Sequence, residues 1–175
     1  MKTFDFIIHC WNIIAIISFC GTILGFILYF FIRNNTDIEN PKLYNRIGVI
    51  LALQLVATFI ILFVLHGVFS ATVRKELSRV LSGNYYELYV KDKNITNEEK
   101  KELVSKLCNL FDHLSNNHSS PNRYIKVIIK NNSDDFYLSL GRDNQDTTLY
   151  WVFVDNYRAT ALNDIGKIRT KIFNK

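Results

Sequence analysis

The sequence predicts a membrane α-helical hairpin joined to a small cytosolic α+β domain, one helix on a mainly antiparallel sheet. Two runs of 27 residues without a charged side chain, 6–32 and 47–73, predict the hairpin. Each exceeds the roughly 20 apolar residues that a helix needs to cross a bilayer. The third observation is a change in composition at Arg74. Of 21 Lys and Arg, 17 lie from there onward, with 13 of 16 Asp and Glu. The expected organisation is a two-pass hairpin over 1–73, a helical stalk over 74–83 and a soluble domain over 84–175.

The first run is too long for a signal-peptide core and stays bulky to its end at Tyr29, Phe30, Phe31 and Ile32, so it reads as an uncleaved anchor. A short polar connection with Asn40-Pro41 as its breaker makes the two helices antiparallel neighbours. Helices in lipid associate where small residues let backbones approach. Gly21 and Gly25 form a GxxxG on the first helix; Gly48 and Ala52 repeat that spacing on the second. This stripe serves packing within one hairpin or between copies. Four polar side chains interrupt the runs: His9, Asn12, Gln54 and His66. Counting inward from the charged ends sets Asn12 level with His66, and Gln54 level with Gly25. No Asp, Glu, Lys or Arg lies inside either run, which argues against a proton-coupled transporter or an ion pump.

Lys and Arg in the flanks set orientation. Lys2, Arg74, Lys75 and Arg79 stand against Arg33, Lys42 and Arg46 of the connection, which favours both termini in the cytoplasm. The Asn, Lys and Ile bias fits an AT-rich bacterial genome, hence an inner membrane. The chain carries a net charge of +5 with both signs interspersed. That is too mild and too mixed to indicate a nucleic-acid surface.

Val73, Leu77 and Leu81 continue the second helix past the bilayer until Ser82-Gly83-Asn84 stops it. Tyr85 to Val90 reads as a strand. Thr96 or Asn97 caps a helix with Glu98 and Glu99 in its first turn and Leu103, Leu107, Leu110, Phe111 and Leu114 on one face, ending near Asn116. Tyr124 to Lys130 alternates, and 136–140 makes the next strand after a hairpin turn at 131–134. Gly141 to Asp146 reads as a second turn. The strand 149–154 follows, then a short helical turn within 159–165. Lys167 to Ile172 alternates as a fifth strand.

No P-loop, HExxH, CxxC or GxSxG motif occurs. His113 and His118 are five apart, the wrong spacing for a metal pair on a helix. No enzyme activity, cofactor or metal is expected. One cluster stands out: Arg142, Asp143, Tyr150, Trp151, Tyr157 and Arg158. Aromatic residues and arginine are enriched at interfaces, so this is the candidate surface for a protein partner or an anionic ligand.

With its two uncharged runs and Gly21/Gly25, this plan resembles the two-helix membrane effectors of bacterial anti-phage systems, retron-associated ones included. The resemblance is one of architecture and rests on no diagnostic motif. It implies a soluble domain that senses, or is restrained by, a cytosolic protein or ribonucleoprotein, and a membrane part that oligomerises to perturb the inner membrane. The alternative is a non-catalytic anchor or adaptor recruiting a cytosolic protein.

Overall fold

The computed structural model describes residues 1–34, 41–83, 86–91, 93–110, 120–131 and 135–174, with side chains for all of these except 32–34 and 41–45. The elements in order are α1 (Lys2–Asn34), α2 (Pro41–Leu81), β1 (Tyr86–Val90), α3 (Asn97–Cys108), β2 (Pro121–Asn131), β3 (Phe136–Asp143), β4 (Leu149–Val154), α4 (Arg158–Leu162) and β5 (Gly166–Arg169). They divide into two compact units, Lys2–Gly67 and Val68–Lys175, the second counted with Met1.

Two helices are long and apolar enough to cross a membrane. The spans are Lys2–Phe31, with mean hydropathy 2.4, and Arg46–Leu81, with mean hydropathy 2.8. At about 1.5 Å per residue, either exceeds the thickness of a hydrocarbon core. Only 22% and 6% of the two apolar windows are buried within the chain, so most of this surface faces outward. Pro41 opens α2 at a helix start, where its missing N–H costs nothing.

The second unit begins inside α2. Phe69, Val73 and Leu77, four residues apart, have no exposed surface, and Val80 and Leu81 are nearly as buried. The segment 74–83, expected as a stalk, therefore opens with the last turns of α2, which belong to this unit. Phe69 meets Tyr157 edge-on, with ring centres 5.5 Å apart.

The sheet is an antiparallel meander in the order β1-β2-β3-β4-β5. Alternation and register sort its side chains into two faces. Val127, Ile129, Phe136, Leu138, Leu140, Tyr150, Val152, Val154 and Ile168 form the inner, buried face. Leu103 and Leu107 of α3 and Thr160 of α4 are fully buried, and Ala159 nearly so. Helix α3 starts at a capping box: the Glu99 N–H donates to the Thr96 hydroxyl at 3.3 Å, and the Glu99 carboxylate accepts the Thr96 N–H at 2.8 Å.

Two differences from the sequence reading concern boundaries. Gly141 to Asp143, expected in a turn, continue β3, and the turn occupies 144–148. The fifth strand is shorter than 167–172 and lies at Gly166–Arg169. Described residues take α3 only to Cys108. The end near Asn116, His113, His118, Tyr85, Asn84 and most of the turn 131–134 lie outside the described residues.

Candidate functional site

Within the hairpin, the two helices meet along a seam of small and hydroxylated residues. Ala15, Ser18, Thr22 and Gly25 are buried at alternating three- and four-residue spacing, the heptad pattern of antiparallel helix pairs. The Thr22 hydroxyl donates to the Ser18 carbonyl at 2.8 Å and lies 3.2 Å from the Leu51 carbonyl of α2. The Gln54 carboxamide donates to the Ser18 hydroxyl at 3.3 Å. Thr58, also buried, returns its hydroxyl to the Gln54 carbonyl.

These contacts correct the depth matching. Gln54 lies level with Ser18, not with Gly25. Continuing the same register puts Asn12 about level with residue 60 instead of His66. Side-chain hydrogen bonds set the register, and the ends of the uncharged runs do not. His9, Asn12 and His66 are half-buried.

The glycine stripe divides in its use. A Cβ on Gly25 would come within 2.9 Å of the Leu51 side chain, so this glycine makes room for Leu51. Gly21 is half-buried at the flank, where an added Cβ would lie 3.8 Å from the same side chain, an ordinary contact. A Cβ on Gly48 would meet nothing within 4 Å. It lines an open apolar cleft of about 420 Å³ with Gly25, Phe26, Tyr29, Val49 and Ala52.

In the second unit, the expected surface cluster does not converge. Tyr150 has no exposed surface; its ring packs edge-on against Phe173 at 5.4 Å and its hydroxyl lies 3.2 Å from the Asn174 side-chain oxygen. Burial raises its pKa, against an opposing pull from the Arg142 charge. Asp143 is also buried. Its carboxylate accepts the N–H groups of Gln145 and Asp146 and the indole N–H of Trp151 at 3.0 Å. It ends β3 and shapes the turn, and so offers nothing to a partner. Trp151 lies on the outer face beneath the Lys167 ammonium, 3.8 Å from its ring centre. Tyr157 is taken up by Phe69. Of the six residues, Arg158 is exposed and Arg142, Trp151 and Tyr157 partly so.

The outer face holds two features that the sequence reading missed. Lys126 on β2 donates to the Ser139 hydroxyl at 2.6 Å and to Asp155 at 2.7 Å; Ser139 in turn donates to Asp155. The three groups satisfy one another and fasten β2, β3 and the end of β4. Lys126 and Ser139 are cross-strand partners, a register that no local motif reveals. Tyr89, Tyr124 and Tyr137 are exposed on the same face. Tyr124 also covers Gly141, where an added Cβ would come within 2.6 Å of Pro121 and 3.1 Å of the Tyr124 ring.

Fold and geometry define a class: two helices of membrane-spanning length and composition, followed by a five-stranded antiparallel α+β domain. No group of three or more His, Cys, Asp or Glu suited to a metal occurs among the described residues. No family model, characterised protein or solved structure matches the chain.

Proposed function

We propose that the chain is a membrane-anchored effector of the anti-phage, abortive-infection type. Its hairpin crosses the bacterial inner membrane with both termini in the cytoplasm. Hairpins self-associate to perturb that membrane, and the soluble domain, held by a protein or ribonucleoprotein partner, gates the step. The observation that carries the reading is the open cleft at Gly48 and Ala52. Packing within the hairpin closes on Gly25 and leaves the half-buried Gly48 and Ala52 beside an open cleft. In lipid, such a face gains van der Waals contact by taking a second helix.

The test follows from this asymmetry. Induced expression of the full chain depolarises cells, read with a potential-sensitive dye. Gly48→Leu fills the cleft from a position where an added Cβ meets nothing within 4 Å, so it abolishes both depolarisation and cross-linking between copies. Unchanged depolarisation by a Gly48→Leu protein present at normal level in the membrane would rule the reading out.

A second reading, an adaptor that recruits a cytosolic protein, draws on the exposed Tyr89, Tyr124 and Tyr137. Tyrosine is enriched where proteins meet. It is favoured if Tyr124→Ala with Tyr137→Ala loses a co-purifying protein while expression of the wild-type chain leaves the membrane potential unchanged.

A further inference from the structure

We propose that Arg123 and Arg142 form a binding site for a phosphate group at one end of the sheet. The two are direct cross-strand partners in β2 and β3. Such partners have Cβ atoms only about 5 Å apart on one face, and like charges placed so repel. Neither guanidinium is ion-paired with an Asp or Glu among the described residues. The Arg142 Nε is buried and has no hydrogen-bond partner among the described residues. A buried donor left unpaired costs free energy that an acceptor oxygen would return. The repulsion is relieved by one ligand, an oxyanion seated between the two guanidiniums, and the orphaned Nε marks Arg142 as short of an acceptor.

The surroundings fit a donor-rich site. Tyr150 is the partner of Arg142 on its other side, in β4, and close enough to feel its charge. The Tyr150 hydroxyl engages the Asn174 side-chain oxygen, which leaves the Asn174 amide as a donor. Lys93 stands one step away, its ammonium 5.6 Å over the Phe173 ring that packs on Tyr150. The planar forks of two arginines match the oxygens of a phosphate in pairs, and a phosphate monoester, near −2 at neutral pH, balances both charges. The phosphate belongs to a soluble ligand or to a lipid headgroup. This site stands independently of hairpin self-association.

The experiment uses the full chain in zwitterionic micelles, with thermal unfolding followed at matched ionic strength. In one arm inorganic phosphate replaces chloride; in the other the micelles contain phosphatidylglycerol. The midpoint rises in at least one arm. A rise with inorganic phosphate assigns a soluble ligand, and a rise with phosphatidylglycerol alone assigns a headgroup. Arg142→Gln and Arg123→Gln each raise the ligand concentration needed for a given rise about 10-fold or more, as expected for losing charge-assisted hydrogen bonds. Arg142→Lys, which keeps the charge but not the fork, falls between. Lys130→Gln, on the opposite face beside Tyr89, leaves the response intact. Should Arg142→Gln fail to fold, Arg123→Gln decides, since Arg123 is exposed. No rise in either arm, an unaltered response in both glutamine variants, or an equal loss in Lys130→Gln overturns the proposal.

Discussion

Asp143 shows how much one carboxylate can organise. It accepts two backbone N–H groups of the turn and the Trp151 indole while nearly excluded from solvent. Asp143→Ala strips three donors of their partner, so it destabilises the domain by about 2–3 kcal/mol, measurable by urea unfolding of the full chain. Asp146 plays a lesser part with a pH signature. The Thr148 hydroxyl at 2.6 Å, then the Thr148 N–H, and more weakly the Arg169 guanidinium at 3.1 Å hold its pKa below the ordinary value. A depressed pKa stabilises the folded state above the unfolded value, about 3.9, and that stability is lost as pH falls through the folded value. Asp146→Asn is therefore less stable than wild type at neutral pH, and the gap closes below about pH 4. A gap of constant size from pH 7 to pH 3 would contradict this. Neither role was legible in sequence. Asp143 lies in a Gly-Arg-Asp stretch with the composition of a turn, yet the strand runs through it. Tyr150 and Trp151 alternate as strand residues should, but both faces of β4 are largely covered, so alternation could not say which ring is exposed.

Among the elements, length and periodicity carried most of the prediction. The uncharged runs located α1 and α2, Thr96 located the start of α3, and alternation located β2 to β4. The relative height of the two long helices was not legible, because charged ends mark where apolar sequence stops and not where side chains interlock. Ser18, Thr22 and Gln54 set that height through hydrogen bonds. The end of α2 was legible only as a helix. Its Phe69, Val73 and Leu77 read equally well as lipid-facing residues or as a stalk, and the structure buries them completely. Phe69→Ala removes a buried ring and its edge contact with Tyr157, and destabilises the α+β unit by about 3–5 kcal/mol, read as a shift in its urea midpoint.

At the scale of the molecule, the meander orders every strand beside its neighbour in sequence. Contacts between near neighbours close short loops, and short loops cost little chain entropy before pairing rewards it. The three central strands, β2 to β4, are joined by brief turns, whereas β1 reaches β2 only across α3. Folding of the domain should then nucleate on 121–154, with the outer strands added late. Leu138→Ala, at the centre, slows refolding, while Ile168→Ala, in the last strand, mainly hastens unfolding; stopped-flow Trp151 fluorescence separates the two. A sheet that nucleates in its middle holds its edges loosely on the way to the native state, so the order of assembly, as well as the final contacts, decides how long its unpaired strands stay open to other chains.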